Sequence, residues 1–489
     1  MKKLIKTTLT PIALAIVLTG CSVGPDYQDP QVEINDAYVF ANQQTLSDLP
    51  LWWETLNDQT LNQLVNDVQQ QNIPIKVAAK RVKMAASYKQ MVDSFKVPTV
   101  NVGGGYFNYQ LSENDSLLAP VFDGQSQLGV SLLDSQHDGG FLGASISWEA
   151  DIFGRIDHQS NAAAIRVEQA EIYQNGLYTM ITADVISNYL QLRGAQERKL
   201  LAEANITDQL ETLDLVEKVV RSGYGSELDL AQAQATLAAT KSVIPQLEIA
   251  EQVHKHRLAV LLGEPLTQLD IRLSEMNALP EISGVIPVGI PSELLQRRAD
   301  IRLAEREMAA INEEVAMSIA NKYPKFFLTG APGVTASDFD DLFSSDSFGW
   351  AGAVGIHWNV FDGGRGAALV EMNEARFDAA MLNYQLVVDS AIKEVDTTLF
   401  AYGRSQENQV QIELAVTAAQ RAVTKAESLY RAGLIDYLSV LDAQRQKRML
   451  EDRLVAARLQ SAQATVAVHK ALGGNWVVAE SMQIPEISS

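Results

Sequence analysis

The sequence of 489 residues has a single cysteine, Cys21. One cysteine excludes a disulfide within the chain and leaves its thiol free for another use. After residue 20, no stretch approaches the eighteen or more consecutive apolar residues that predict a transmembrane helix. Any crossing of a membrane by the mature chain must therefore be made by strands.

Basic residues are also scarce, since 39 lysines and arginines stand against 60 acidic residues. The net charge is −21, and removal of residues 1–20, which hold three lysines and no acid, lowers it to −24. Such an acidic surface repels nucleic acid and anionic headgroups. Nucleic acid is therefore not an expected partner.

The common motifs of catalytic and metal sites are missing as well. The sequence contains no His-Glu-x-x-His, no Gly-x-Ser-x-Gly and no Cys-x-x-Cys. His254 and His256 are two positions apart in a predicted helix, so they lie on different faces and cannot chelate one ion together. The methionines are scattered, which argues against copper export. We expect no enzyme activity, no cofactor and no metal site.

The first residues have the pattern of a bacterial processing signal. Three lysines, at positions 2, 3 and 6, precede an apolar run at residues 12–18, and Leu18-Thr19-Gly20-Cys21 follows. This resembles a lipoprotein signal, in which cleavage after residue 20 frees Cys21 for acylation. An ordinary secretory signal with an incidental thiol is the alternative. Ser22 differs from the aspartate of an inner-membrane retention signal, which favours the outer membrane as the destination.

The stretch from Leu142 to Ile152 alternates strictly between apolar residues and small or polar ones. This length and this period are those of a strand that crosses a membrane in a β-barrel, with lipid on one face and water on the other. At Gly154 this alternation ends. From there to Ser222 no proline occurs, and apolar residues recur every three or four positions, as in a helix. A helix of that length spans roughly 100 Å, at about 1.5 Å per residue.

The two halves of the chain repeat each other, which indicates a duplicated architecture. An offset of 226 pairs Ile75, Ala78 and Pro98 with Ile301, Ala304 and Pro324. Further along, an offset of 210 holds over more than a hundred residues without a gap. It pairs Ile146, Trp148, Gly154, Arg155, Arg221, Gly223, Leu228 and Gln234 with Ile356, Trp358, Gly364, Arg365, Arg431, Gly433, Leu438 and Gln444.

The repeat divides the chain into a signal peptide (1–20), an N-terminal strap (21–57), a first repeat (58–263), a linker (264–291), a second repeat (292–473) and a C-terminal segment (474–489). Each repeat is predicted to contain a shorter helix, two strands, a long helix and a returning helix. In the first repeat these lie at about 58–96, 99–110, 141–152, 154–222 and 226–262. In the second they lie at about 292–322, 325–334, 350–361, 364–431 and 436–472. Apolar residues that recur at seven within the helices predict a coiled-coil seam.

Four strands per chain cannot close a barrel. An open sheet edge in lipid leaves backbone groups unpaired, at several kcal/mol each. Several copies must therefore share one barrel. Two copies give a barrel of eight strands, whose interior is filled by side chains. Three copies give a barrel of twelve strands, which has room for a lumen. A helical bundle with a satellite β-hairpin is the alternative that needs no membrane.

Motifs along the whole mature chain are similar to those of one family. They are Leu18-Thr-Gly-Cys21, Gly24-Pro-Asp-Tyr27, Trp148-Glu-Ala-Asp-Ile-Phe-Gly-Arg155, Arg297-Arg-Ala-Asp300, Trp358-Asn-Val-Phe-Asp-Gly-Gly-Arg365, Tyr430-Arg-Ala-Gly433 and Tyr437-Leu-Ser-Val-Leu-Asp-Ala-Gln444. In combination they resemble the outer-membrane factor (TolC-like) family, and within it the lipidated NodT-type efflux branch. The resemblance implies a fold class that is mainly α with membrane β. Four transmembrane strands per chain would form a shared twelve-stranded trimeric barrel, continued by a long α-helical coiled-coil tunnel.

The resemblance also implies partners and a function. A homotrimer would lie in the outer membrane, extend into the periplasm and dock to a periplasmic adaptor (membrane fusion) protein and an inner-membrane pump, which we expect to be proton-driven. The chain would be the outer-membrane channel of a tripartite efflux system, a passive exit duct for small molecules such as drugs. A type I protein secretion duct and a non-conducting periplasmic coiled-coil scaffold are the alternatives.

Both predicted helix hairpins turn at a glycine, and these tips are the candidate site for adaptor docking and for the gate. The residues are Gly223, Tyr224, Gly225, Ser226, Gly433, Leu434, Ile435 and Asp436. In a trimer, three copies of Asp436 would come near the threefold axis, with Leu434 and Ile435 as an apolar plug. Alternatively, Asp436 only caps the returning helix, because the offset matches it to Ser226, which begins a capping-box pattern. The two roles do not exclude each other.

Overall fold

A computed structural model of the chain describes residues 22–32, 34, 37–40, 51–110, 112, 136–275, 279–280 and 291–474. The predicted signal peptide, Cys21 and all but the first residue of the predicted C-terminal segment lie outside these ranges. Most of the predicted loop 111–140 does so too. Within the described ranges, no helix combines the length and the apolar composition needed to cross a bilayer.

Two long helices of equal length dominate the secondary structure. The helices are α1 (Gln59–Gln71), α2 (Ile73–Asp93), α3 (Arg155–Arg221), α4 (Glu227–Lys241), α5 (Val243–Leu262), α6 (Leu266–Arg272), α7 (Pro291–Arg297), α8 (Ala299–Ala320), α9 (Arg365–Arg431) and α10 (Tyr437–Ala471). The strands are β1 (Thr99–Gln110), β2 (Gln136–Ala150), β3 (Lys325–Ala336) and β4 (Phe348–His357). Helices α3 and α9 have 67 residues each and begin 210 positions apart, in agreement with the repeat.

Two of the predicted helices are divided, and a proline explains each division. The helix predicted at 58–96 is split at Asn72, whose side chain accepts the backbone N–H of Ile75 at 3.1 Å and so caps α2. The helix predicted at 226–262 is split at Ser242, where α4 ends and α5 begins. Pro74 and Pro245 lie in the first turns of α2 and α5, where the missing N–H breaks no helical hydrogen bond.

The helix predicted at 292–322 is also divided, at Arg298, between α7 and α8. The guanidinium of Arg298 donates to Asp300 at 2.7 Å and to the backbone carbonyl of Ala471 at 2.9 Å. The carboxylate of Asp300 in turn accepts the N–H of Ile301 at 3.0 Å. Side-chain hydrogen bonds therefore satisfy the helix start that the break creates.

The four strands form one antiparallel sheet in the order β1-β2-β3-β4. Strand β2 begins five residues earlier than the predicted 141 and ends at Ala150, where Ile152 turns back to the Ala150 carbonyl at 2.9 Å. Strand β4 covers Phe348–His357 and ends four residues before the predicted 361. The early end follows from Asp362, whose carboxylate accepts the N–H groups of Gly364 at 3.0 Å and Gly366 at 2.7 Å and bends the chain into α9.

The register of the sheet sorts the strand residues onto two faces. Directly paired residues share a face, and successive residues alternate between faces. One face, here the apolar face, carries Val100, Val102, Tyr106, Leu142, Ala144, Ile146, Trp148, Phe326, Leu328, Pro332, Val334, Phe348, Trp350, Val354 and Ile356. The other, the polar face, carries Thr99, Asn101, Ser145, Ser147, Glu149, Lys325, Thr329, Thr335 and His357 besides small residues. Phe107, Tyr109, Phe141 and Phe327 are aromatic exceptions on the polar face. Asn108, Gln110 and Asp138, at the end of the sheet remote from the long helices, are polar exceptions on the apolar face.

The chain forms two compact units. The first unit contains the sheet, the start of α3, most of α8 and the start of α9 (Met1–Asp29, Lys83–Glu168 and Arg306–Met381). The second contains the helical hairpins and a large core (Pro30–Val82, Gln169–Glu305 and Leu382–Ser489). That core includes Trp52, Trp53, Leu61, Leu64, Val68, Ile186, Tyr189, Leu190, Leu258, Leu262 and Val466.

The residues 51–57 of the predicted strap pack into the core of the second unit. The Trp52 ring stacks on the His469 ring at 4.4 Å between centroids, with the planes within 4° of parallel. Burial lowers the pKa of His469 to about 4, so this imidazole is neutral in the folded chain. Asn57 follows in a left-handed conformation with φ of 52° and ends the 3-10 turn Trp52–Leu56.

Candidate functional site

The two hairpin tips begin with the same backbone turn. Helices α3 and α9 end at Arg221 and Arg431, and the glycine two residues further on is left-handed, with φ of +78° at Gly223 and +72° at Gly433. In the second tip, the N–H of Leu434 donates to the carbonyl of Leu429 at 3.0 Å. Such bonds satisfy the last carbonyls of a helix, and glycine takes the left-handed position without a steric penalty.

The residues that follow the turns differ between the tips. In the first tip, a Cβ on Gly225 would lie 2.9 Å from Cγ2 of Val220 and 3.0 Å from its backbone nitrogen. Glycine is therefore required there. The matching residue of the second tip, Ile435, is half-buried against the tip cluster, which we define as Val216, Ala233, Tyr437 and Val440. Within one chain, this packing already uses the Ile435 side chain. The role of Ile435 in an apolar plug at the threefold axis stays a prediction.

The next position in each tip is a helix cap. The Ser226 hydroxyl accepts the N–H of Leu228 at 2.9 Å, and the Asp229 carboxylate accepts the N–H of Ser226 at 3.3 Å, which completes a capping box for α4. Asp436 begins α10, and its carboxylate accepts the N–H of Ser439 at 3.0 Å and the Ser439 hydroxyl at 2.6 Å. The capping role of Asp436 is therefore present in the structure.

The same contacts set the charge of Asp436. Hydrogen bonds from the hydroxyl and the backbone N–H of Ser439 hold its pKa below the usual range, so the exposed carboxylate is ionised at neutral pH. Asp436 is thus both a helix cap and a negative charge on the surface, so its capping role is compatible with the predicted role in the gate.

Each tip presents one large side chain to solvent at the same repeat position. Tyr224 is 91 % exposed in the first tip, and Leu434 is 70 % exposed in the second. Behind them, the rings of Tyr430 and Tyr437 meet at 5.9 Å and join the tip cluster. Each tip thus ends in one exposed side chain, with a packed apolar cluster next to the second tip.

A cavity of about 350 Å³ lies above the second tip, between α3, α9 and α10. Its lining carries both signs of charge: Asp208, Glu211, Glu427, Arg431, Lys447 and Arg448. Gln444 donates to Glu427 at 3.0 Å, and burial lowers the pKa of the half-buried Arg448 guanidinium. No pattern in the sequence singled out this charged groove.

Cys21 itself lies outside the described residues, but the residues after it are held firmly. The Ser22 hydroxyl lies 2.8 Å from Nε2 of His158, and Nδ1 of His158 lies 2.6 Å from the Glu313 carboxylate. The N–H of Val23 donates to the carbonyl of Phe153 at 3.3 Å. These contacts form the N-terminal clasp, defined by Ser22, Val23, His158 and Glu313, beside the bend between β2 and α3.

Glycine and charge both contribute to this clasp. A Cβ on Gly154 would lie 2.7 Å from the Ser22 hydroxyl oxygen, so only glycine admits Ser22 there. The Glu313 carboxylate raises the pKa of His158 through a hydrogen bond and its charge, against the opposing effect of burial. Sequence patterns do not reveal His158 and Glu313, because 155 residues separate them and no motif joins them.

The described residues show no constellation of metal ligands. No group of three or more His, Cys, Asp or Glu side chains within them could hold a metal ion. His254 has its Nδ1 3.2 Å from the Asn188 side-chain oxygen, and burial lowers its pKa. This histidine therefore has a structural partner.

Comparison with known proteins places this geometry in one family. The family model described as outer membrane efflux protein matches residues 64–264 and 290–474. The solvent efflux pump outer membrane protein SrpC of Pseudomonas putida is 30 % identical over 482 residues, which cover 96 % of this chain and 99 % of that protein. Nodulation protein T of Rhizobium leguminosarum bv. viciae is 27 % identical over 471 residues, which cover 96 % of this chain and 93 % of that one.

A solved structure agrees with these relatives. The outer-membrane channel OprN superposes with a TM-score of 0.82 at 32 % sequence identity, and the match covers 93 % of this chain and all of that one. The two ranges matched by the family model include all four strands and both tips.

Proposed function

Because the chain belongs to the outer membrane efflux protein family and is an outer-membrane efflux channel, we propose that three copies of it form a passive duct. The observation that supports the proposal is the register of the sheet, which gathers large apolar side chains of all four strands on one face. A sheet with lipid on one face and water on the other needs this separation. The efflux-channel expectation from the sequence is confirmed by the family match.

The edges of the sheet favour a shared barrel. Among the described residues, β1 and β4 each pair with one strand only, β2 and β3 respectively. In lipid, the free side of each edge must find a partner, since unpaired backbone groups cost several kcal/mol each. Pairing of β4 with β1 of the next copy satisfies both edges, and three copies give twelve strands around a lumen.

The tips support docking to a periplasmic adaptor. We infer that Tyr224 and Leu434 contact the adaptor, with Gly223 and Gly433 setting the turns behind them, and that the charged groove above the second tip orients it. A passive duct has no energy source, so the driving force must come from an inner-membrane pump joined through that adaptor. A proton-driven pump is the partner that we propose.

The exported compounds are proposed to be small organic molecules. The name of SrpC describes a solvent efflux pump, and that relative matches nearly the whole chain. A passive duct passes what the pump delivers, so its own selectivity comes from size and charge.

Lipidation of Cys21 is proposed as a second membrane anchor. The N-terminal clasp supports this role, because it holds Ser22 beside the bend between β2 and α3, at the end of the sheet that continues into the long helix. Cys21→Ser should abolish incorporation of labelled palmitate while the protein still fractionates with the outer membrane, because the strands remain. Recovery of this variant from the soluble periplasm would contradict insertion of the strands.

Conductance in planar bilayers tests the duct directly. The purified full-length protein should give stepwise currents and run as a heat-modifiable trimer on gels. A monomer that gives no current steps would refute the duct and favour a periplasmic scaffold.

A further inference from the structure

A second cavity, of about 340 Å³, lies on the sheet at the end remote from the long helices. The loop 337–347 between β3 and β4 covers it. Its lining is almost entirely apolar or small: Gly105, Tyr106, Gly140, Phe141, Leu142, Ser337, Phe339, Leu342 and Phe343. The volume falls within the range of small-molecule sites, and an apolar cavity of this kind does not hold ordered water well.

The loop folds over the apolar face of the sheet. Leu342 is buried, and its Cδ2 lies 3.7 Å from the position that a Cβ would take on Gly140. Gly140 pairs with Tyr106 and shares the face of Leu142 and Ile146. The loop therefore lies on the side of the sheet that meets lipid in the proposed barrel, opposite the lumen.

Two phenylalanines of the loop are largely uncovered by the part of the chain that the structure describes. Phe339 is 76 % exposed and Phe343 is 70 % exposed, with their rings 6.4 Å apart in an edge-to-face arrangement. In water, such a pair is an exposed apolar patch, whereas at the boundary of a bilayer aromatic rings are stable. The one charged strand residue near the cavity, Asp138, accepts the Tyr106 hydroxyl at 2.6 Å, so its carboxylate is hydrogen-bonded.

We propose that this cavity binds the hydrocarbon tail of an outer-leaflet lipid, with Phe339, Leu342 and Phe343 as its roof and Gly140 as its floor. The proposal rests on the proposed function, in which the apolar face meets lipid. The cavity is continuous with that face through Leu142 and Tyr106, and lipid tails are the apolar material in contact with it.

A spin-labelled lipid tests the proposal on the full-length protein. The protein is reconstituted into vesicles of phosphatidylethanolamine and phosphatidylglycerol that contain phosphatidylethanolamine labelled with a nitroxide on its acyl chain. Electron paramagnetic resonance measures the immobilised fraction of label. Gly140→Leu fills the cavity floor. The number of immobilised lipids per chain, calculated from the immobilised fraction, should therefore fall by about one. The Gly140 backbone has no positive φ, and its nearest neighbours on that side lie at van der Waals distance, so this variant should fold.

Gly330→Leu is the matched control. Gly330 lies on the same apolar face, opposite Ile146 and outside the cavity, and has similar space above it. It should keep the wild-type immobilised fraction. Phe343→Ala opens the roof without filling the floor, and it should also lower the fraction.

Equal immobilised fractions in wild type, Gly140→Leu and Phe343→Ala would overturn the lipid site. Cover of the cavity by a second copy of the chain would overturn it in the same way, because the wild type would then immobilise no additional lipid. Conductance separates this result from failure of the duct itself. Channels that conduct normally but show equal fractions overturn the lipid site alone, whereas a wild type without conductance overturns the proposed function on which it rests.

Discussion

The indole N–H of Trp358 donates to the backbone carbonyl of Lys322 at 3.0 Å and ties the end of β4 to the chain segment after α8. In the first repeat, Trp148 makes the same bond to Lys96, also at 3.0 Å. Both tryptophans lie where the sheet gives way to helix, with an apolar ring and a polar N–H. Tryptophan is favoured at the boundary between lipid and water for this reason. We therefore expect the sheet to leave the membrane at the level of these two bonds.

A charge on the apolar face should prevent insertion. Ile146→Arg adds a cation opposite Val100 and Gly330, and near the bilayer midplane this costs roughly 2–4 kcal/mol. The yield of heat-modifiable protein in the outer membrane should fall. Ser145→Arg, one residue away on the polar face, should insert at the wild-type level and change single-channel conductance. Equal losses in both variants would mean that the assignment of the two faces is wrong.

The charge of Asp436 can be separated from its cap, because asparagine caps a helix about as well as aspartate. If the charge sets the gate, Asp436→Asn should alter cation selectivity or resting conductance in bilayers and leave the thermal unfolding temperature nearly unchanged. Asp436→Ala removes cap and charge together and should lower that temperature as well. If Asp436→Asn keeps the conductance and selectivity of the wild type, Asp436 has no role in a gate and only caps the helix.

The left-handed turn of the second tip should depend on glycine. Gly433 has φ of +72°, and an alanine in that conformation costs about 1–2 kcal/mol. Gly433→Ala should therefore unfold at a lower temperature, although a Cβ there would meet no atom within 4 Å. Gly403→Ala is the control, because Gly403 lies in the middle of α9 with open space around it. There alanine should stabilise the helix by about 1 kcal/mol. Destabilisation by both changes to the same extent would show that the left-handed backbone of Gly433 is not the cause.

The N-terminal clasp should weaken as the pH rises. Glu313 raises the pKa of His158 above its ordinary value of 6.5, so the folded chain binds this proton more tightly than the unfolded chain. The added stability is complete below pH 6.5 and is lost as the pH rises through the raised pKa. Asp151 adds a smaller attraction, and the backbone at Val23 supplies a hydrogen bond.

His158→Gln measures this effect, since glutamine keeps a polar side chain but cannot titrate. The difference in thermal unfolding temperature between wild type and His158→Gln should be largest below pH 6.5 and shrink above it. Glu313→Gln should flatten the same dependence. A difference that stays constant across this range would show that the histidine acts only by packing.

The sequence was informative wherever a local pattern has a single physical cause. Alternation at Leu142–Ile152 predicts β2 because a sheet between lipid and water requires it, and the repeat offset predicts two helices of equal length. The divided helices were readable in principle from Pro74 and Pro245, since a proline inside a helix costs about 3 kcal/mol. The helical spacing of the apolar residues continues on both sides of each proline, and it therefore predicted one continuous helix.

Contacts between distant segments could not be predicted. Ser22 meets His158 across 136 positions of the chain, and no periodicity encodes such a pair. The packing of Ile435 depends on Val216 and Tyr437, which lie in α3 and α10, so the residues around Ile435 in the sequence do not reveal it. Four aspartates lie in the loop 337–347, at positions 338, 340, 341 and 346, and nothing in this acidic sequence reveals that Leu342 packs on the apolar face of the sheet.

The equal length of α3 and α9 constrains how this chain can change in evolution. One residue removed from a helix rotates everything after it by about 100° and shortens it by about 1.5 Å. A deletion in α3 alone would turn Tyr224 away from its direction and draw the first tip back, while Leu434 stayed in place. Surviving insertions and deletions should therefore occur at matched levels in both helices and come in multiples of seven, which preserve the seam. In related sequences, a change in the length of one helix should therefore be accompanied by an equal change in the other.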